Sequence, residues 1–321
     1  MSIFEYMKKC TLFFLLVGIT AFSMAQDPHF TQKTGNINHF NPALVGAQSD
    51  FGVQLNYRNQ WPTLPLNPIT SSLLTNYNLQ NGLGFGLELK NDRVGPLTTS
   101  NVKANINYRH KFGAVETRYG LNLGYGEKHI DYEGLRFEDQ ISPGSGFTNP
   151  NAEPFENKST KYATLDIGAA AYYKGFLLGL AIQQLNETDI TFFNSTCNQP
   201  MRFVGNLAYI KEFNQLNLAG LATFQQDGNY SIVETQVFGQ YKFVKLGMGY
   251  HQRFGSFRDS DFFSVALGIQ FDKISVGYSY DDDFSNISRA SSPGTHQATA
   301  AWYIKGLSKE KGMSRLMNVL M

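Results

Sequence analysis

The feature that most constrains this chain is a strict alternation of apolar and polar residues along segments of about ten residues. In one of them, apolar side chains occupy every second position, at Leu83, Phe85, Leu87 and Leu89. A period of two predicts a β-strand with one apolar face. A tilted strand of about 9–11 residues also spans a bilayer. We find fourteen such segments, near residues 51–59, 68–79, 83–92, 99–112, 117–131, 161–173, 176–186, 200–212, 215–225, 230–241, 243–254, 261–271, 273–282 and 294–304.

The links between these segments fall into two classes. Asn81-Gly82 predicts a tight hairpin turn, and equally short links lie at 173–175, 213–214, 241–242 and 272–273. Longer links lie at 60–67, 91–98, 132–160, 187–199, 255–260 and 283–293. Short turns at one end and long loops at the other are typical of an outer-membrane β-barrel, whose short turns are periplasmic. An even strand count then places both ends of the barrel chain in the periplasm.

A soluble, secreted β-sandwich is the alternative, because its strands alternate as well. The strand lengths, the two classes of link and the aromatic residues at strand ends favour the barrel. Eight tyrosines are candidates for the girdles at the two membrane interfaces: Tyr57, Tyr77, Tyr108, Tyr125, Tyr172, Tyr209, Tyr250 and Tyr280. We therefore predict an all-β outer-membrane barrel of about fourteen antiparallel strands.

The first 25 residues have the pattern of a cleavable signal peptide. Lys8 and Lys9 precede an apolar run, and Ser23-Met24-Ala25 then offers small residues for cleavage before Gln26. One cysteine, Cys197, remains beyond this point. We therefore expect neither an internal disulfide nor a zinc site built on cysteines.

The rest of the chain divides into three parts. Residues 26–50 begin on the periplasmic side and form either a segment packed in the lumen or a flexible leader. Residues 51–304 form the barrel, whose fourteen strands enclose either an open channel or a plugged lumen. Residues 305–321 form a periplasmic tail. Its apolar residues recur at helical spacing, beside a basic patch; the apolar set is Met313, Leu316, Met317 and Leu320, and the basic set is Lys309, Lys311 and Arg315. This helix needs a surface, either the barrel's own rim or a subunit of a larger machine.

Residues that carry chemistry are few. The six histidines are scattered without a metal-binding spacing, and no Ser–His pair is marked by a local motif. Asp281-Asp282-Asp283 offers carboxylates for calcium but lacks the rest of an ion-binding loop, which favours a solvated strand end. The net charge of +1 gives no support to a nucleic-acid partner. We predict no enzyme, no catalytic or metal-binding residue and no cofactor.

Four short motifs carry more specific information. The chain reads Gln26-Asp27-Pro28-His29-Phe30-Thr31-Gln32, then Phe40-Asn41-Pro42-Ala43, Tyr57-Arg58-Asn59-Gln60-Trp61 and Asn91-Asp92-Arg93-Val94-Gly95-Pro96. In this order and spacing, the motifs resemble the PorP/SprF family of type IX secretion system outer-membrane proteins. The signature candidates are Asp27, Pro28, Phe30, Gln32, Asn41, Pro42, Arg58, Asn59, Gln60, Trp61, Asp92, Arg93, Gly95 and Pro96. We expect Asp92 and Arg93 to form a lid pair over the lumen, or the motif to form a rigid turn at Gly95-Pro96.

This resemblance implies a barrel that supports secretion or surface anchoring of a large exported protein, including adhesins used in gliding. The implied partners are the C-terminal domain of that protein, type IX subunits on the periplasmic side and outer-membrane lipid. The family offers no catalytic residues. Loop 132–160 carries Phe137, Phe147 and Phe155, which form either a partner surface or a cluster packed across the barrel mouth. A diffusion channel for small solutes and a membrane-embedded hydrolase are the competing functions.

Overall fold

The computed structural model describes residues 30–131, 141–142, 146–147, 158–192, 197–228, 230–254, 261–283, 294–304 and 312–320. Fourteen long strands account for most of them. They are β1 (Phe51–Gln60), β2 (Ile69–Asn78), β3 (Leu83–Val94), β4 (Leu97–Phe112), β5 (Val115–Ile130), β6 (Lys158–Tyr173), β7 (Phe176–Gln183), β8 (Arg202–Phe213), β9 (Leu216–Asp227), β10 (Tyr230–Tyr241), β11 (Val244–Phe254), β12 (Phe262–Phe271), β13 (Ile274–Asp283) and β14 (Thr295–Ile304). The two-residue strands Ile141–Ser142 and Gly146–Phe147 pair with each other, apart from the barrel.

These fourteen strands form one closed, antiparallel barrel. Each strand pairs with the next, and β14 closes the barrel on β1 in a register that runs from Phe51 opposite Ile304 to Gln60 opposite Thr295. Closure leaves no sheet edge without partners in the hydrocarbon. The predicted strand number and fold class are confirmed. In the described part of the chain, no helix has the length and apolar character needed to cross a membrane.

The turns at the short-link end share one backbone feature. Gly82, Lys174, Asn214, Lys242 and Asp272 all have positive φ angles, as tight hairpin turns commonly require. At the opposite end, one prediction is wrong. The link at 91–98 is not a long loop, because β3 and β4 extend until Val94 lies opposite Leu97. Only Gly95-Pro96 joins them, with Gly95 at φ +58°.

Side chains divide between the two faces of the wall as the alternation predicts. In β1, Leu55 and Tyr57 are exposed toward lipid, whereas Gln54, Asn56 and Arg58 are buried toward the lumen. Six of the eight girdle tyrosines are exposed on the outer face: Tyr57, Tyr77, Tyr108, Tyr125, Tyr209 and Tyr250. The girdle prediction is wrong for Tyr172, because this side chain packs against the buried apolar cluster inside the barrel.

The lumen is filled by the two ends of the described chain. Residues 30–50 form two 3₁₀ turns, Lys33–Asn36 and Pro42–Leu44, that flank the single-turn helix α1 (Ile37–Phe40). A second helix, α2 (Met313–Val319), follows the last strand. Nearly all of these residues are buried. We call residues 30–50 the N-terminal plug and residues 312–320 the C-terminal plug.

Charge on the lipid face tests the assignment of the faces. Leu121 points outward near the middle of β5, so Leu121→Arg should cost roughly 2–4 kcal/mol of barrel stability. Leu121→Met, which keeps an apolar side chain, is the control. Heat-modifiable gel migration reports the midpoint of unfolding. The neighbouring Asn122 is not a mild control, because it is fully buried and donates to Asp166 at 3.0 Å.

Candidate functional site

The N-terminal plug runs along the lumen from the long-loop end to the short-turn end. Thr31 bonds to Gln297 and Asp281, which lie near the long-loop ends of β14 and β13. Residues 45–50 then reach the opposite end, where Phe51 starts β1. The expectation that this segment begins on the periplasmic side is therefore wrong for its described part, which begins near the outer mouth and descends.

The outer end of the N-terminal plug is held by uncharged hydrogen bonds and one carboxylate. The Thr31 N–H donates to Gln297 Oε1 at 2.9 Å, and the Thr31 hydroxyl donates to Asp281 Oδ1 at 2.6 Å. Gln32 Nε2 donates to Ser279 Oγ at 3.2 Å and to the Gln297 carbonyl at 3.0 Å. Two strands of the wall, β13 and β14, thus fix one short stretch of plug.

The middle of the plug carries buried ionisable groups. Lys33 pairs with Glu234 of β10. Arg202 of β8 lies beside His39 of the plug, with its Nη1 atom 3.3 Å from His39 Nε2. Arg202 also donates to the His39 carbonyl at 3.3 Å, and Gln183 donates to that oxygen at 2.7 Å.

The inner end of the plug is bound through its backbone carbonyls. Asn105 Nδ2 donates to the Pro42 carbonyl at 3.0 Å. The guanidinium of Arg118 donates to the carbonyls of Ala43 and Val45, each at 3.0 Å. Arg118 is buried, and a planar guanidinium presents several donors in a fixed arrangement. Wall side chains therefore fix the path of the plug backbone at this level.

Two glycines of the wall let the plug approach closely. A Cβ atom added at Gly120 of β5 would collide with backbone atoms of Pro42 and Ala43. One added at Gly168 of β6 would collide with Asn41 Oδ1. Because backbone atoms cannot rotate away as a side chain does, the contact at Gly120 requires glycine.

The C-terminal plug occupies an apolar seat at the short-turn end. Met313, Leu316, Met317 and Leu320 are buried against inward-facing residues of β6–β10. The seat residues are Ala170, Leu177, Ala208, Ile210, Ala219, Leu221 and Phe238. Of the predicted basic patch, the structure describes Arg315, which forms an ion pair with Glu212: Arg315 Nη1 lies 2.8 Å from Glu212 Oε2. Lys309 and Lys311 lie outside the described residues.

The two plugs bond to each other. The Thr34 hydroxyl donates to the Leu320 carbonyl at 2.9 Å, and Gln48 Nε2 donates to the Met317 carbonyl at 3.2 Å. The Ser314 hydroxyl donates to the Gln48 carbonyl at 2.8 Å. Two segments from opposite ends of the chain thus form one continuous obstruction across the lumen.

A serine, a histidine and a carboxylate meet inside the wall, although no sequence motif marks them. His251 Nε2 lies 2.9 Å from Ser264 Oγ, and His251 Nδ1 lies 3.6 Å from Glu234 Oε2. This is the order of groups in a serine hydrolase. All three side chains are nonetheless buried, and Glu234 also pairs with Lys33. Through Glu234, this group takes part in the contact between the wall and the plug.

The described signature residues lie in two places. Phe30, Gln32, Asn41 and Pro42 are buried in the N-terminal plug; Arg58, Asn59, Gln60, Trp61, Asp92, Arg93, Gly95 and Pro96 lie at the long-loop ends of β1, β3 and β4. There the Trp61 N–H donates to the Gly294 carbonyl at 2.9 Å, and the Gly95 N–H donates to the Leu66 carbonyl at 3.1 Å. Asp27, Pro28, Phe137 and Phe155 lie outside the described residues, as does the side chain of Phe147.

The structure separates the residues proposed for a lid pair, and it also separates Asp281 from Asp282; the side chain of Asp283 lies outside the described residues. Asp92 accepts a 2.6 Å bond from the Thr70 hydroxyl, whereas Arg93 is exposed on the opposite face of β3. The same alternation separates Asp281, buried against Thr31, from the exposed Asp282. Within the described ranges, no group of three acidic, histidine or cysteine residues is placed to hold a metal.

The fold and the filled lumen together define a class, the plugged outer-membrane β-barrel. A family model described as "Type IX secretion system membrane protein PorP/SprF" matches residues 22–302. The chain therefore belongs to the PorP/SprF family of type IX secretion system membrane proteins, and its location in the outer membrane follows. A search of curated proteins finds no match.

Solved structures with a similar fold are outer-membrane proteins. The CymD monoaromatic hydrocarbon channel is 9% identical, with 89% of this chain and 96% of that chain covered and a TM-score of 0.51. Omp33 of Acinetobacter baumannii is 9% identical, with 81% and 100% covered and a TM-score of 0.48. A FadL homologue of Pseudomonas aeruginosa is 12% identical, with 82% and 92% covered and a TM-score of 0.46. At these identities the CymD likeness shows the fold alone.

A methyl group at the closest wall–plug contact should displace the plug. Gly120→Ala places its Cβ against the Pro42 backbone, whereas Gly220→Ala meets no atom within 4 Å. We expect Gly120→Ala to cost about 1–3 kcal/mol, the usual range for overpacking, and Gly220→Ala to be nearly neutral. Limited proteolysis of folded protein, read at residues 30–50, should show faster cleavage in the first variant alone. Equal protection in both would contradict the close packing.

Removing one buried side chain should release the C-terminal plug. Leu316→Ala deletes a fully buried side chain and should cost about 2–5 kcal/mol of helix docking. Arg315→Ala removes a partly exposed ion pair, worth up to about 1 kcal/mol. Hydrogen exchange of residues 313–319 separates the two variants. Similar exchange rates in both would show that the apolar seat does not hold this helix.

Proposed function

We propose that this barrel supports the secretion or surface anchoring of a large exported protein, such as an adhesin, without catalysing a reaction. The observation that carries the proposal is the plug, which closes the lumen at three levels with the chain's own residues. Solute passage needs an open lumen, whereas partner binding needs exposed surfaces on a stable frame. Membership in a family of secretion system proteins supports the same function.

The proposed partners lie on both sides of the membrane. On the outside, the C-terminal domain of the exported protein would meet the long loops, including 132–160 with Phe137, Phe147 and Phe155. On the periplasmic side, subunits of the type IX machinery would meet the short turns and tail residues 305–321, of which Arg315 is partly exposed. Outer-membrane lipid surrounds the wall. Cleavage after Ala25, with a mature start at Gln26, belongs to the same proposal.

A diffusion channel remains the second candidate, because structures with a similar fold include channels. The plug gives a direct test in planar bilayers. The intact protein should conduct no steady current, whereas a variant lacking residues 30–50 should conduct if it still inserts. A steady current through the intact protein would favour the channel and contradict the proposal.

Surface display provides the test of the proposed function. Deleting the gene should abolish display of at least one large exported protein, and the full-length barrel should restore it. A barrel lacking residues 140–156 should insert normally, with heat-modifiable migration, yet fail to restore display. Ser264→Ala should restore display fully if the protein is not a hydrolase.

Each alternative has its own outcome. Normal display in the deletion strain overturns the proposed function. Normal display from the barrel with the shortened loop would show that the partner surface lies outside residues 140–156. Failure of the shortened barrel to insert shows that the loop packs across the barrel mouth and supports the wall.

A further inference from the structure

Among the described residues, the outer half of β6 has no paired strand on one side. β6 pairs with β5 along its whole length, from Lys158 opposite Ile130 to Tyr172 opposite Glu116. Its pairing with β7 covers only Ile167 to Tyr173. β7 ends at Gln183, and the chain turns away. Residues 158–166 of β6 therefore extend beyond their neighbour as an edge.

Described residues that follow β7 cover the lower part of this edge. The Leu165 carbonyl accepts from the Leu185 N–H at 2.9 Å, and the Leu165 N–H donates to Asn186 Oδ1 at 3.1 Å. Asn186 Nδ2 also donates to the Ala163 carbonyl at 2.7 Å. Backbone groups of alternate residues in a strand point to the same side, so those of Ser159 and Lys161 face the edge as well. In the described part of the chain, no residue bonds to them there.

The open part of the edge lies in water above the membrane. Tyr125, an exposed girdle residue, lies opposite Ala163. The next outward-facing pair toward the loops is Glu127 with Lys161, whose charges mark the aqueous side of the girdle. Unpaired backbone groups would be very costly within the bilayer. At the cell surface, they form a template that another strand can complete.

We propose that residues 158–163 of β6 bind an extended segment of the exported protein by β-strand addition. This assignment rests on the proposed function and names a binding surface for it. The exposed Lys161 discourages indiscriminate pairing, and in this proposal the added segment carries an acidic residue on the side of Lys161 away from Glu127. Main-chain bonds supply affinity, and this charge pair supplies selection.

Geometry argues against a second copy of the barrel as the occupant. Copies in one membrane are related by rotation about its normal, and barrel strands tilt by about 35–45°. Two β6 edges brought together would cross at about twice that angle. Neighbouring strands in a sheet differ by only about 20–25°. The pairing strand therefore belongs to a molecule that is free to orient above the membrane.

The test uses full-length protein in its own outer membrane. Lys161→Pro removes the N–H that faces the edge and leaves the β5 pairing intact. Lys161→Ala keeps that N–H and removes only the charge. In the deletion strain, Lys161→Pro should lower display of the dependent protein by roughly tenfold, about the effect of one lost hydrogen bond, with normal heat-modifiable migration. Lys161→Ala should cause a smaller loss.

A photo-crosslinking residue at Ser159 provides the second measurement and leaves the backbone unchanged. It should join β6 to one extended, acidic segment of the dependent protein, and Lys161→Pro should abolish that product. The same residue at Val237, on the lipid face, is the control. A crosslink to this chain's own loops, or to a second copy, overturns the proposal.

The outcomes separate the two proposals. Normal display in the deletion strain overturns the proposed function. Lost display in that strain together with normal display from folded Lys161→Pro leaves the function standing and overturns strand addition.

Discussion

The requirement that every backbone N–H and C=O within the bilayer find a partner governs this molecule. It forces β14 back onto β1 and turns fourteen strands into a closed wall. The closed wall then fixes the rest, because alternate side chains face lipid and lumen. The Asn, Gln, Arg and Asp side chains that line the lumen need polar partners, either water or other parts of the protein. In this protein, the two plugs provide many of those partners.

A buried charge pair adds to the hydrogen bonds that hold the N-terminal plug. Lys33 of this plug pairs with Glu234 of the wall. Removing one partner from such a buried pair leaves a charge without compensation, at about 3–5 kcal/mol. An apolar plug could slide within an apolar tube. This plug is tied to the wall at defined levels.

The sequence predicts the wall well because periodicity is local. Each of the fourteen segments has its own apolar and polar face, and several tight turns carry a Gly, Asn or Asp residue, which accept positive φ. The contacts that fill the lumen join residues that are far apart in the sequence. Thr31 meets Gln297, and Thr34 meets Leu320, at separations that no motif spans. Glu234, His251 and Ser264 come together only through the register of three neighbouring strands.

One signal for the C-terminal plug was nonetheless present in the sequence. Inward positions of an outer-membrane barrel are usually polar, yet Leu177, Ile210 and Phe238 face inward here. Read together with the helical spacing of Met313, Leu316 and Met317, these exceptions identify the seat of the helix. The predicted lid pair does not form because Asp92 and Arg93 are adjacent in a strand, and their side chains therefore point to opposite faces of the wall.

The placement of the two plugs has a consequence for how the protein is built. The N-terminal plug is joined to β1 and the C-terminal plug to β14, and these two strands form the seam. Pairing of β14 with β1 closes the wall, and a segment can then enter the lumen only through one of the two mouths of the barrel. Each plug is joined to one of these two strands, so closing the barrel also brings the attachment points of the two plugs together.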